Sequence, residues 1–118
     1  MARPADLALT DILAAIELAR EAAFGTTFAS FERDRIRRAA TERALLTISE
    51  AVRHLPDEMT ARHPDLPWSD IRGIGNRIRQ EYWRVDARIV WQVAQGELDA
   101  PEAVVRLEIT SAHGAPTA

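Results

Sequence analysis

The chain has 118 residues and a formal net charge of −3, with 47% hydrophobic residues and no cysteine. These values suit a single domain; they exclude a disordered chain, a membrane span, disulfides and thiolate metal sites, and they argue against bulk binding of nucleic acid. The N-terminal residues lack the apolar region of a signal peptide, so we expect a cytoplasmic protein. The three histidines, His54, His63 and His113, lack the spacing of metal ligands, so we expect neither a metal nor another cofactor.

The first half of the chain predicts two long helices and a short one. Hydrophobic residues recur at helical spacing over residues 6–24, and Gly25 supplies a stop. Ser30 is a candidate cap for a helix over residues 31–55, and Pro56 suits the first turn of a short helix over residues 56–62. The predicted apolar positions of the second helix are Ile36, Ala40, Ala44, Ile48, Ala51, Val52 and Leu55.

The second half predicts three more helices. The first covers residues 68–82, and its apolar face comprises Trp68, Ile71, Ile74, Ile78 and Tyr82. Asp86 caps the next helix, which ends at Gly96. Asp99 and Glu102 have the spacing of a capping box for a last helix that ends near Leu107.

Together these elements predict an all-α, up-and-down bundle of four to five helices, because no stretch alternates with period two for long enough to form a sheet. We expect one domain over residues 1–110 and a flexible tail over residues 111–118. A chain this short leaves much of its surface exposed, so a homodimer that buries more apolar area is also expected.

Three polar side chains recur along one face of the second predicted helix. Arg43, Thr47 and Glu50 fall at i, i+4 and i+7, and their hydrophobic neighbours suggest that the two charges are partly sheltered. Two interpretations stay open. The pair forms a salt bridge that supports the helices, or it braces a functional site on the next helix.

The stretch 70–84 concentrates positive charge in an otherwise acidic chain. Its arginines and one neighbour are Arg72, Arg77, Arg79, Arg84 and Arg88, and an earlier cluster comprises Arg33, Arg35, Arg37 and Arg38. Such clusters, with Tyr82 and Trp83 interleaved, are able to bind RNA phosphates and stack a base; the alternative is a solvated helix face. Gly73 and Gly75 lie inside the same predicted helix, where each costs about 1 kcal/mol relative to alanine. They indicate either a close backbone approach or a distorted helix.

Several short motifs follow one another in a recognisable order over residues 7–109. They are Asp11-Ile12-Leu13 with Ala15-Ile16, the segment from Arg43 to Glu50-Ala51, His63-Pro64-Asp65-Leu66-Pro67-Trp68, Asp70-Ile71-Arg72-Gly73, Asn76, Glu81-Tyr82, Val85-Asp86 and Ile89-Val90-Trp91. In order and spacing the set resembles the HepT-like family of the HEPN ribonuclease superfamily. Each motif is weak alone, whereas the combination is specific.

The resemblance implies a HEPN-type bundle of four or five helices that dimerises, with a composite site where the two copies meet. It implies a metal-independent endoribonuclease that serves as the toxin of a toxin–antitoxin pair. The implied antitoxin is a small MntA-like nucleotidyltransferase, which neutralises the toxin by attaching AMP to a tyrosine.

The family's signature is an arginine, four to six residues, a histidine, one residue and a tyrosine. Matched by position, the arginine falls on Gly75, the asparagine that follows it on Asn76, the histidine on Gln80 and the tyrosine on Tyr82. Gly75 and Gln80 are therefore degenerate catalytic positions, while Asn76 and Tyr82 are retained, and Tyr82 is the implied modification target. The remaining candidate site residues are the RNA-binding Arg72, Arg77, Arg79 and Arg84, with Arg43 and Glu50 as structural support.

The departure at Gly75 and Gln80 bears directly on the chemistry. RNA cleavage through the 2′-hydroxyl needs a proton acceptor, a proton donor and stabilisation of the phosphate charge. The Gln80 amide orients and hydrogen-bonds but does not exchange a proton near neutral pH, and glycine offers no cation. His63 would have to swing in from the preceding loop. We therefore expect strongly reduced or absent ribonuclease activity.

Three hypotheses follow from the sequence. The chain is a HepT-like toxin with weak or altered endoribonuclease activity, or a catalytically inactive dimer that binds a nucleotidyltransferase partner or RNA. In the third hypothesis it is a structural dimer in which Tyr82 is only a core residue, since it lies four residues after Ile78 on the apolar face.

Overall fold

The computed structural model describes the backbone of residues 4–80 and 86–113, with their side chains except those of residues 4, 79, 112 and 113. Within these residues the chain is helical and has no strand. The helices are α1 (Pro4–Ala23), α2 (Phe28–Arg33), α3 (Arg35–Val52), α4 (Asp57–Ala61), α5 (Trp68–Gln80), α6 (Ala87–Gly96) and α7 (Asp99–His113). The five longer helices confirm the predicted all-α bundle, and α2 and α4 are short connecting helices.

The core forms around α1 and α3, which pack extensively on each other. Helices α5 and α6 pack on α3, while α6 and α7 also pack on α1. Of the predicted apolar positions of α1, five are buried and Leu13 is partly buried against the core; the five are Leu9, Ile12, Ile16, Ala19 and Ala23. Ala8 and Ala15 are buried as well. Burial of each large aliphatic side chain contributes roughly 1.5–3 kcal/mol, so this stripe is what holds α1 on the bundle. Among the described residues, no helix combines the length and the apolar character that crossing a membrane requires.

The predicted second long helix is in fact two helices. Asp34 has an extended backbone, with φ −98° and ψ 97°, and its Oδ1 accepts a hydrogen bond from the Arg37 N–H at 3.0 Å. Asp34 therefore caps α3. The predicted cap, Ser30, instead closes a capping box on α2: its N–H donates to Thr27 Oγ1, and its Oγ accepts from the Thr27 N–H. Because the chain turns at Asp34, Ile36 is 82% exposed, and its predicted place on the apolar face is wrong.

Helix α6 begins at its predicted cap and is anchored to the segment between α1 and α2. The Asp86 carboxylate accepts a hydrogen bond from the Arg88 N–H at 2.9 Å. The indole N–H of Trp91 donates to Thr26 Oγ1 at 3.0 Å, and the Arg88 guanidinium lies 4.0 Å from the centroid of the Phe28 ring. These contacts fix the start of α6 beside α2.

Asp99 and Glu102 bind α1 and do not form the predicted capping box. Asp99 Oδ1 and Glu102 Oε1 each accept a hydrogen bond at 2.6 Å from the Arg20 guanidinium. Helix α7 begins at Asp99 itself, and the Glu102 N–H bonds to the Leu98 carbonyl, so Asp99 does not stand at the cap position. The forked cation of α1 lies opposite both carboxylates and binds them instead. Helix α7 also continues to His113 rather than ending near Leu107.

Glu108 ties α7 to the connector before α5. Its carboxylate is 7% exposed; Oε1 accepts a hydrogen bond from Arg62 Nη2 at 2.7 Å, and Oε2 lies 2.6 Å from His63 Nε2. The bond from Arg62, assisted by that from His63, holds the pKa of the Glu108 carboxyl below its ordinary value of 4.5 although burial opposes this shift. The ionised carboxylate is therefore the form that stabilises the fold.

We expect Glu108→Gln to lower the free energy of unfolding by about 1–3 kcal/mol, because the charge-assisted bonds are lost. Since the folded-state pKa lies below the unfolded one, the stabilisation is complete above the ordinary value of 4.5 and disappears as the pH falls through the folded pKa. Urea unfolding from about pH 7 down to about pH 3 should show a shallower pH dependence in the variant. The control is Glu17→Gln, which neutralises an exposed carboxylate of α1; a loss as large as that of Glu108→Gln would contradict the argument.

Candidate functional site

Helix α5 carries the positions that match the family signature, and it has two distinct faces. Ile71, Ile74 and Ile78 pack against the core, and Ile78 is buried. Asn76 and Gln80 are exposed and lie about one helical turn apart. The described part of α5 thus confirms these predicted apolar positions and leaves the two polar motif positions open to solvent.

Ser49 of α3 fills the space beside Gly75. Its Oγ donates a hydrogen bond to the Arg72 carbonyl at 2.7 Å and accepts one from the Gly75 N–H at 3.0 Å. A Cβ atom at position 75 would overlap Ser49 Oγ and lie 2.8 Å from Ser49 Cβ. Glycine is therefore needed for the approach of the two helices, and we call this the Ser49–Gly75 contact.

The two glycines of α5 have different explanations. Gly75 allows the close backbone approach, whereas a Cβ atom at Gly73 would meet nothing within 4 Å. The helix runs without interruption from Trp68 to Gln80, so a distorted helix is not the reason for either glycine. Nothing in the structure explains Gly73.

Arg53 crosses between the same two helices beside the Ser49–Gly75 contact. It follows the last residue of α3, and its Nη2 donates hydrogen bonds to Asn76 Oδ1 at 3.0 Å and to the Arg72 carbonyl at 3.4 Å. Its side chain is exposed, as are those of Asn76 and Arg77. This hydrogen bond thus holds the Arg53 guanidinium against Asn76, the retained asparagine of the motif.

Neither Ser49 nor Arg53 stands out in the sequence analysis. Each leaves a weak signal: Ser49 is a small polar residue among the apolar positions of α3, and Arg53 is a cation at the end of a helix, where the macrodipole favours one. Both signals are common in helices without any function. Only the register between α3 and α5 shows that they meet Gly75 and Asn76.

The predicted support residues on α3 are less sheltered than expected. Arg43 is exposed and Glu50 half-buried, so the prediction that both charges are sheltered is wrong for Arg43. Thr47 Oγ1 donates to the Arg43 carbonyl at 3.0 Å, within the helix. A bracing role for Arg43 and Glu50 stays a prediction.

The histidine that would have to swing into the site is held elsewhere. His63 Nε2 lies 2.6 Å from Glu108 on α7, and the His63 carbonyl accepts a hydrogen bond from Trp68 Nε1 at 2.9 Å. Movement toward Asn76 would break the Glu108 interaction. The structure therefore holds His63 against α7 and not beside Asn76.

The early arginine cluster includes two side chains with structural partners. Arg37 Nη1 donates to the Ala22 carbonyl at 2.9 Å, and Arg38 Nη1 donates to the Glu32 carbonyl at 3.0 Å. These carbonyls lie in the last turns of α1 and α2, where they have no partner further along their own helix. Arg37 and Arg38 are half-buried and close helix ends, so these two residues are not part of a solvated helix face.

Several predicted site residues lie outside the described residues. Tyr82 and Arg84 are among them, as is the side chain of Arg79. Of the other candidate RNA-binding residues, Arg72 is half-buried and Arg77 is exposed, both on α5. Phosphate binding by these arginines stays a prediction.

The described side chains around the Ser49–Gly75 contact offer hydrogen-bonding and charged groups. Ser49 carries a hydroxyl, Asn76 and Gln80 carry amides, and Arg53 and Arg77 carry guanidinium groups. Guanidinium and amide groups bind and orient a phosphodiester, but none of these groups exchanges a proton readily near neutral pH. The arrangement fits binding better than general acid–base catalysis.

Comparison with known proteins places the chain in a family. The family model described as ribonuclease HepT-like matches residues 12–107. A candidate RNase of Caldanaerobacter subterraneus subsp. tengcongensis is 34% identical over 98 residues, which cover 83% of this chain and 88% of the relative.

Two archaeal proteins are similar at lower identity. A protein of Thermococcus cleftensis named probable ribonuclease HepT is 31% identical, over 76% of this chain and 82% of its own length. A candidate RNase of Methanocaldococcus jannaschii is 28% identical, over 67% of this chain and 71% of its own length. No solved structure matches the chain. Because the family model covers most of the chain and a relative more than 30% identical is matched along most of its length, the chain belongs to the ribonuclease HepT-like family.

Proposed function

We propose that the chain is the toxin-side member of a toxin–antitoxin pair that binds RNA and cleaves it weakly or not at all. The observation that carries the proposal is the Ser49–Gly75 contact. The position that matches the motif arginine is buried against Ser49 and has no space for a side chain. The absence of an arginine at position 75 is therefore linked to the packing of α3 on α5. It is not an isolated change at the protein surface.

The charge and exposure of α5 support RNA binding as the retained activity. Arg77, Asn76 and Gln80 are exposed on this helix, and Arg53 joins them from α3. Guanidinium groups suit phosphate oxygens because their donors are arranged as a planar fork. Gln80, in place of the motif histidine, is able to hydrogen-bond to RNA but does not act as a general base.

The proposed partners follow from family membership. They are a second copy of the chain, which would complete a composite site, and an MntA-like nucleotidyltransferase, which would attach AMP to Tyr82. Asn76 is proposed to orient the RNA in this site, and Arg72, Arg77, Arg79 and Arg84 to contact its phosphates. The relatives are named as RNases, and this supports RNA as the ligand class.

The test measures whether the protein binds single-stranded RNA in the presence of EDTA, and whether that RNA is recovered uncut. We expect the unmodified chain to retain a mixed RNA pool at low salt, to release it as salt rises, and to leave it intact. The salt dependence should correspond to a slope of about −0.7 in log affinity against log salt for each phosphate contacted. Rapid cleavage would contradict the weak catalysis, and retention that is absent or insensitive to salt would contradict the RNA binding.

A further inference from the structure

The HepT-like signature places a cation at position 75, and this chain has none there. Position 75 is buried against Ser49 and has no space for the side chain of an arginine. A cation that replaces it must therefore be held beside position 75 by other contacts. It must also reach the exposed side of α5 where Asn76 lies.

Arg53 meets both conditions. Its Nη2 lies 3.0 Å from Asn76 Oδ1, one residue from Gly75, and 3.4 Å from the Arg72 carbonyl. Both bonds use the same nitrogen, while a guanidinium carries five N–H donors in a planar fork. The remaining donors belong to an exposed side chain, and they are available to an anion that approaches from solvent.

The bond to Asn76 orients this guanidinium more than it stabilises the fold. The Arg53–Asn76 bond is exposed, and exposed polar pairs contribute little to the free energy of unfolding. Its effect is to restrict a long, flexible side chain to one place beside α5. Preorganisation of this kind reduces the entropy lost when a ligand binds.

We propose that Arg53 is the phosphate-binding cation of this site, and that it replaces from α3 the charge missing at position 75. Its ligand is a phosphodiester of single-stranded RNA, so this inference rests on the proposed RNA binding. Asn76 acts as the positioning residue, because it holds the guanidinium through Oδ1.

The test compares Arg53→Ala with Arg106→Ala, which removes the same charge from an exposed site on α7. The probe is a mixed-sequence single-stranded RNA oligonucleotide, titrated over a range of salt. We expect Arg53→Ala to weaken binding roughly five- to tenfold and to reduce the magnitude of the salt slope by about 0.7, the value for one phosphate contact. Arg106→Ala should stay within about twofold of the unmodified chain, since a distant charge is screened.

Two further variants separate positioning from net charge. Arg53→Lys should keep the salt slope but recover only part of the affinity, because an ammonium group lacks the planar fork. Asn76→Ala should weaken binding, and adding it to Arg53→Ala should cost little more, because the two residues act as a pair. All variants should keep the circular dichroism and melting temperature of the unmodified chain.

The outcomes distinguish this inference from the function on which it rests. If the unmodified chain retains RNA and Arg53→Ala weakens binding no more than Arg106→Ala, the role of Arg53 is wrong and RNA binding stands. Additive losses from Arg53→Ala and Asn76→Ala would overturn the positioning role of Asn76. If the unmodified chain does not retain RNA even at low salt, the proposed function fails and this inference fails with it.

Discussion

Gly75→Ala is expected to destabilise the protein, whereas Gly73→Ala, two residues earlier on the same helix, is expected to stabilise it. Alanine normally gains about 0.5–1 kcal/mol over glycine inside a helix. At Gly73 that gain is unopposed, since the added Cβ meets nothing within 4 Å. At Gly75 the Cβ would lie 2.8 Å from Ser49 Cβ, which is fixed to the backbone of α3, so the two helices must move apart. Overpacking of this kind costs about 1–3 kcal/mol.

Urea or thermal unfolding of the two variants provides the measurement. A net loss of about 1 kcal/mol corresponds to a fall of several degrees in the melting temperature of a domain of this size. The second control is Ser49→Gly combined with Gly75→Ala. It removes both Ser49 side-chain atoms that clash with the Cβ atom at position 75. The nearest remaining atom is Leu46 Cδ1, which lies 3.5 Å from that Cβ atom, an ordinary contact. Equal stabilisation by Gly73→Ala and Gly75→Ala would show that α3 and α5 do not approach closely at this point.

The helices themselves were largely predictable from the sequence, for reasons of periodicity. The stripe of α1 and the apolar positions of α5 repeat at helical spacing, and such stripes are buried in a bundle of this kind. Asp86 was recognisable as a cap because it precedes an apolar run, and the structure has it as the cap of α6. Local patterns of this sort depend on residues close in sequence, so no tertiary information is needed.

The errors share a physical cause, which is competition between candidate partners for the same polar side chain. Asp99 and Glu102 have capping-box spacing, but Arg20 of α1 lies opposite both carboxylates. Ser30 was the predicted cap of the second long helix, but it lies inside α2 and closes the capping box of Thr27, whereas Asp34 caps α3. Sequence spacing identifies the candidates for such bonds, whereas packing decides between them.

The candidate site shows the same limit more strongly. Family resemblance identified Gly75 and Gln80 as altered positions, but it gave no reason to examine Ser49 or Arg53. Their relevance depends on the register of α3 against α5, which places Ser49 at Gly75 and Arg53 at Asn76. A one-residue shift in that register would separate both pairs, so the site is a property of the helix contact.

Restoring ribonuclease activity is therefore expected to need three substitutions. Gly75→Arg and Gln80→His would supply the cation and the proton-transfer group of the family signature, but the arginine has no space while Ser49 is present. Ser49→Gly removes the two atoms that the Cβ atom of this arginine would overlap. General acid–base catalysis commonly contributes about 10²–10⁴-fold, so the triple variant should cleave RNA at least about a hundredfold faster than the unmodified chain.

Cleavage of a mixed single-stranded RNA pool in EDTA measures this effect. The matched control, Ser49→Gly/Gly75→Arg, keeps Gln80 and should fold and bind RNA but cleave little, because the cation alone does not exchange protons. The double variant Gly75→Arg/Gln80→His, with Ser49 kept, should be both less stable and less active than the triple variant. If only the triple variant cleaves RNA faster than the unmodified chain, the Ser49–Gly75 contact and Gln80 together account for the proposed weak catalysis. If the unmodified chain cleaves as fast as the triple variant, Gln80 is no obstacle to the reaction and the proposed loss of catalysis is wrong.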